Sequence, residues 1–131
     1  MRVLLCSGLT ALLALSSLSP AAAFELSFDW GNIPNCTSGS PGIVPSPSFT
    51  LKDVPNGATK LRFVLKDLNV PSYNHGGGTV SVPNGTKVPF GTFKYRSPCP
   101  PGGKHTYQWT VTALDGANKK LGTAKAKKVY P

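Results

Sequence analysis

His105-Thr106-Tyr107-Gln108-Trp109-Thr110-Val111-Thr112-Ala113 is the stretch on which the reading of the fold turns. Tyr107, Trp109, Val111 and Ala113 alternate with Thr106, Gln108, Thr110 and Thr112. A period of two puts successive side chains on opposite faces of an extended chain, so this is a half-buried β-strand and no helix. The loop Ser97–Gly103, rich in proline and glycine, precedes it, and the turn signal Asp115-Gly116 follows it.

The same alternation recurs on either side. Phe24–Phe28 and Ser48–Lys52 each place apolar residues at every second position. Leu61, Phe63 and Leu65 share one face opposite Arg62 and Lys66; Val64 interrupts that polar side and predicts a strand covered on both faces. Thr79–Val82, Phe90–Tyr95 and Leu121–Tyr130 complete a set of about seven short strands. Residues 31–47 and 71–78 read as loops. The expected fold class is therefore mainly all-β with little helix, an antiparallel sandwich or barrel. Fourteen glycines and thirteen prolines in 131 residues break most helix-length windows.

The length suits a single domain. At 40% hydrophobic and 15% charged residues, the chain is too apolar for a disordered tail. Met1-Arg2, the apolar run Val3–Leu18 and Ala21-Ala22-Ala23 have the form of a secretory signal peptide. The expected organisation is a signal peptide at 1–23 and one domain at 24–131, secreted or periplasmic, with no integral membrane segment after cleavage. Cleavage would remove Cys6 and leave Cys36 and Cys99, and one disulfide is the economical reading in an oxidising compartment. Two unpaired thiols are the alternative.

With 14 Lys and Arg against 5 Asp and Glu, the formal net charge is +9. Lys119, Lys120, Lys125, Lys127 and Lys128 cluster near the end. They read either as a solvated edge strand, where lysine blocks edge pairing, or as a patch for an anionic surface. No nucleic-acid module accompanies the charge, so no nucleic-acid partner is expected.

The chemistry is concentrated beside the loops. Asp67 ends the strand that starts at Leu61, His75 precedes Gly76-Gly77-Gly78, and His105 and Tyr107 open the long strand. These are the chain's two histidines, each next to glycine-rich backbone where main-chain N–H groups can be approached closely. Ser72, His75 and Asp67 form a formal hydrolase set, but no nucleophile elbow accompanies them. Two histidines and one aspartate are a minimal metal set, so no metal and no cofactor is expected.

Four segments in order resemble the phosphatidylethanolamine-binding protein family, in its bacterial YbhB/YbcL-like (Raf kinase inhibitor-like) branch. Val54-Pro55-Asn56-Gly57-Ala58-Thr59-Lys60-Leu61 is similar to the family's entry to a core strand. Asp67-Leu68-Asn69-Val70-Pro71 is similar to its acidic loop, which His75 follows. Tyr95-Arg96-Ser97-Pro98-Cys99-Pro100-Pro101-Gly102-Gly103-Lys104-His105-Thr106-Tyr107 is similar to its long proline-rich motif, with Ser97 in place of a glycine. The proline and second acid of the acidic loop are missing, and the tail after Asp115 has no helical pattern.

The resemblance implies an antiparallel β-sandwich of that family's type over residues 24–131. It also implies a pocket for a small anion or a phosphorylated head group, lined by Asp67, His75, His105 and Tyr107, with Pro98 and Pro101 shaping the wall. Asp67 would orient a histidine and favour its charged form, or accept from an ammonium head group. In a bacterial source the sequons at Asn35 and Asn84 carry no consequence, and an exported chain does not meet cytosolic kinases. The expected function is non-catalytic binding. The alternative is a secreted protein-interaction module, for example a protease inhibitor, presenting the loops 31–47 and 97–103 tied by Cys36 and Cys99.

Overall fold

The computed structural model describes residues 14–18 and 22–131. The signal-peptide reading falls largely outside the described residues. Nine strands form among those described: β1 (Glu25–Asp29), β2 (Ile43–Pro45), β3 (Ser48–Lys52), β4 (Lys60–Asp67), β5 (Gly77–Ser81), β6 (Lys87–Val88), β7 (Lys94–Arg96), β8 (His105–Leu114) and β9 (Lys120–Tyr130). No helix is present among the described residues, and none is long and apolar enough to cross a membrane.

The strands make three antiparallel sheets, ordered β5-β4-β8-β9, β1-β3-β6 and β2-β7. The stretch read first, now β8, is an interior strand of the four-stranded sheet. Leu61 pairs with Ala113, Phe63 with Val111, Leu65 with Trp109 and Asp67 with Tyr107. Directly opposed residues of an antiparallel pair share a face, so one side of this sheet is a continuous apolar surface. The β1-β3-β6 sheet closes over it. Phe49 of β3 lies 4.3 Å from the Phe63 ring and 5.2 Å from that of Trp109, all three wholly buried. Leu26, Phe28, Leu51 and Val88 extend the second layer, and Val44 and Tyr95 of the small sheet plug one side. An edge-on ring contact of this kind adds about 0.5–1.5 kcal/mol to the burial term.

Four expectations change. Residues 77 and 78, read as the end of a loop, are the first two of β5. Residues 43–45, read as loop, form a strand because Ile43, Val44 and Pro45 pair with Arg96, Tyr95 and Lys94; a three-residue strand has too short a period to be seen without its partner. The strand expected at Phe90–Tyr95 begins only at Lys94: Gly91 takes a φ of +78°, and its N–H bonds the Ser46 carbonyl in a turn that leaves Phe90 exposed. Val64 is not covered on its outer face; it is 47% exposed, and its sheet is covered on one side only at that point.

The glycines after His75 do structural work. Gly77 pairs with Val64, and a Cβ there would lie 1.8 Å from the Phe63 carbonyl oxygen. A Cβ on Gly78 would meet the Phe93 ring at 2.5 Å. This pair lets β5 approach β4 and the aromatic core closely, which displaces the reading of that run as ligand-facing backbone.

Candidate functional site

The inner face of the four-stranded sheet changes character along its length. Leu61, Phe63 and Leu65 are followed by Asp67 on β4, and Ala113, Val111 and Trp109 lead to Tyr107 and His105 on β8. The parity that buries the core thus delivers a carboxylate, a phenol and an imidazole to one end of it. A cavity of about 170 Å³ opens there. Asp67, His75, Pro101, His105 and Tyr107 all line it, together with Gly39, Pro41, Val70, Tyr73 and Cys99. Pro98 does not: it is fully buried behind the wall, and its neighbour Cys99 lines the cavity instead.

Asp67 is 4% exposed and fully engaged. Its Oδ1 accepts from the backbone N–H groups of Asn69, at 2.8 Å, and Val70, at 3.2 Å. Its Oδ2 accepts from His105 Nδ1 at 2.6 Å. Burial pushes this carboxyl upward, but the bond from His105, the two backbone donors and the imidazole's charge outweigh it and hold the group below its ordinary value. Asp67 is therefore ionised at neutral pH. The Asn69 side chain accepts from Thr106 N–H at 2.9 Å, and Leu68 N–H bonds the Thr106 carbonyl at 2.8 Å, so the acidic loop is pinned to β8 without its customary proline.

His75 is brought in by a different strand. Its Nδ1 lies 2.9 Å from the Arg96 carbonyl oxygen of β7, and the Arg96 N–H returns a bond to the His75 carbonyl at 2.9 Å. A carbonyl only accepts, so His75 Nδ1 carries a proton. An ionised carboxylate also only accepts, so His105 Nδ1 does as well. Both imidazoles have spent Nδ1 on the protein, and Nε2 is the nitrogen each has left for a ligand. The buried His75 ring is held edge-on between Tyr73, at 4.6 Å, and Tyr107, at 5.5 Å.

The Tyr107 hydroxyl oxygen accepts from Cys99 N–H at 3.3 Å, which leaves its own proton to donate. Burial, then the negative charge of Asp67, pushes its pKa far above the usual phenol range, so the proton stays in place at neutral pH.

Cys36 and Cys99 form a disulfide that links the two loops flanking the cavity. Thr37 accepts from Gly102 N–H at 3.2 Å, Gly42 accepts from Ser97 N–H at 2.8 Å, and Gly39 lies against Pro101. The long loop is thereby folded onto the mouth of the cavity, which explains how Gly39 and Pro41 reach it. Neither residue carried a signal of its own; only the cysteine pairing places them. Val70 belongs to the acidic loop, whereas the sole cue for Tyr73 in the sequence is its position between Asp67 and His75. Ser72 is exposed and does not line the cavity. Among the described residues, no three His, Cys, Asp or Glu side chains gather as a metal site would require.

The fold is thus two antiparallel layers with a largely apolar cavity, carrying a few convergent polar groups, at the end of its inner face. A family model described as phosphatidylethanolamine-binding protein matches residues 26–130, and the chain belongs to that family. The fold is similar to that of a crystal structure of a phosphatidylethanolamine-binding protein homologue from Chlamydia trachomatis, with a TM-score of 0.58 and 21% identity. That match covers 83% of this chain and 97% of the other. No curated protein matches the chain.

Proposed function

We propose that this chain is an exported, non-catalytic binding protein of the YbhB/YbcL-like branch, whose cavity takes a small anion such as a phosphate monoester or a phosphorylated head group. The observation that carries the reading is two imidazoles on one small cavity, each with Nδ1 already committed. A neutral ring then offers a lone pair at Nε2, whereas a charged ring offers an N–H. An anion is bound by the charged rings, with the Tyr107 hydroxyl as a third donor. Asp67 accepts from His105 Nδ1 and fixes the orientation of that ring. At about 170 Å³ the cavity is below the roughly 300–1,000 Å³ of drug-sized sites, which suits a head group rather than a whole lipid.

The test is a thermal-shift titration with inorganic phosphate and O-phosphoethanolamine at pH 6 and pH 8. A ligand that binds only the folded chain at 100 times its Kd stabilises by about 2.7 kcal/mol. Stabilisation is expected at pH 6, weaker at pH 8 and absent from His75→Ala and His105→Ala. A shift equal at both pH values and retained in both variants removes the anion from this cavity. Export is checked separately: the protein recovered outside the cytoplasm should begin at Phe24.

A further inference from the structure

The outer face of the four-stranded sheet has a chemistry unrelated to the cavity. Its rungs follow from the register. Lys66 lies beside Gln108 and then Lys127; Val64 beside Thr110 and then Lys125; Arg62 beside Thr112 and then Thr123. Cations therefore stand in two rows, on β4 and on β9, with β8 between them. Gln108, Thr110 and Thr112 are half-buried and form the floor of a groove of about 400 Å³, and Lys66, Lys120 and Lys125 rise from its sides. The rows are two strand spacings apart, roughly 10 Å; Lys125 and Lys127 are about 7 Å apart along β9, and Arg62 and Lys66, with Val64 between them, about 14 Å apart along β4.

Edge protection accounts for lysines on β9, which is the last strand of its sheet. It does not account for Arg62 and Lys66, because β4 is paired on both sides, by β5 and β8; Lys60, whose ammonium bonds the Asn118 side chain, lies outside the groove. No carboxylate answers these charges. Of the chain's five acids, Glu25 pairs with Lys52, Asp29 bonds Gly31 N–H, Asp67 is buried and Asp115 accepts from N–H groups of its own turn. The fifth, Asp53, sits in the turn after β3 with φ of +54°. Among the described residues, the salt bridges are Lys52–Glu25 and His105–Asp67, neither on this face. Lys128 is not part of the array; its ammonium lies over the Phe28 ring at 5.4 Å.

We infer that this groove is a docking site for an acidic polysaccharide, whose repeating carboxylates or sulfates meet the two cationic rows while its hydroxyls lie on Gln108, Thr110 and Thr112. Two features select a glycan among polyanions. The face carries no aromatic side chain on which a nucleobase could stack. Its exposed apolar residues are Val64 and Val129, too small and too few to anchor in a membrane interface. Neutral hydroxyl and amide groups between charges match a chain that is itself a line of hydroxyls broken by anions.

The experiment measures binding of fluorescent heparin and polygalacturonate oligosaccharides by anisotropy, with a thymidine oligonucleotide and phosphatidylglycerol vesicles as competitors. The variants are Lys66→Glu/Lys125→Glu and, as a control of equal net charge, Lys87→Glu/Lys94→Glu on the other sheets. All positions are exposed, and melting temperatures are recorded for each. At least one glycan should bind, with log Kd linear in log salt. The groove variant should weaken binding by about tenfold or more, the control by less than about threefold, since long-range net charge is screened within a Debye length of about 10 Å. His105→Ala should bind as the parent does. The inference is overturned by equal losses in the two charge variants, by absence of glycan binding at low salt, or by tighter binding of the oligonucleotide or vesicles. A response to phosphate that survives the groove variant separates this site from the cavity.

Discussion

Removing the Cys36–Cys99 cross-link should cost this domain about 4 kcal/mol. The two residues are 63 apart in sequence, and closing a loop of that length removes roughly 14 cal/mol/K of chain entropy from the denatured state. At 298 K that is about 4 kcal/mol, a large share of the 5–15 kcal/mol typical of a folded domain. Urea unfolding followed by the fluorescence of Trp30 and Trp109 reads it out for the oxidised chain, the same chain in reductant, and Cys36→Ser/Cys99→Ser. With a urea m-value of about 2 kcal/mol/M, the midpoint should fall by about 2 M. The m-value should rise, because a denatured chain without the cross-link exposes more surface. Reduction also loosens the mouth of the cavity. Gly39 and Pro41 would then be held mainly by the bonds of Gly42 with Ser97 and of Thr37 with Gly102, so affinity for phosphate should fall with stability. Serine at position 99 can still bond Ser38, which lies 3.5 Å from the sulfur, so the variant is not penalised for a buried hydroxyl. A loss below about 1 kcal/mol, in both the variant and the reduced chain, refutes the chain-entropy account.

Three further outcomes are expected. Because Asp67 is held below its ordinary value of 3.8, its stabilising contribution is complete above that value and is lost as pH falls through the lower folded one; the stability difference between the parent and Asp67→Asn, about 1–3 kcal/mol at pH 6, should therefore shrink at pH 2.5 in parallel urea melts. Gly77→Ala should destabilise by about 1–3 kcal/mol or more, because its Cβ has only the Phe63 carbonyl to displace; hydrogen exchange should show the loss centred on the β4–β5 pairing, and a neutral result would mean that β5 shifts freely. Phe49→Ala, which empties the ring position between Phe63, Phe93 and Trp109, should cost about 3–5 kcal/mol by the same melts, whereas a cost below 1 kcal/mol would show that this aromatic cluster is not the centre of the core.

The strands with a clear period of two were legible without a structure. Phe24–Phe28, Ser48–Lys52, Leu61–Lys66 and His105–Ala113 each carry at least two alternations, and β1, β3, β4 and β8 sit where those alternations lie. The same parity marks Asp67, His105 and Tyr107 as inward-facing, since each continues a buried odd-numbered run. Where the chain departs from the period, the reading failed. β2 and β7 are three residues each and exist because they pair with one another, an attraction that neither segment displays alone. Gly77 and Gly78 suggested a ligand loop by composition, and only the approach of β5 to Phe63 and Phe93 shows that the missing side chains make room for the sheet.

Local sequence thus determined the class of fold, the all-β alternation, the inward faces and the two cysteines available for pairing, because each depends on the spacing of residues along one strand. The tertiary structure alone decided that His75, on the far side of a loop, joins Asp67 and His105 at one cavity; that Pro98 lies behind the wall while Gly39 and Tyr73 lie in it; and that lysines on β9 face the same groove as Lys66 of β4. These are relations between strands, set by register, by sheet order and by a disulfide that spans 63 residues. A pairing contact is worth energy only once both partners are present, so nothing in either strand alone could have announced it.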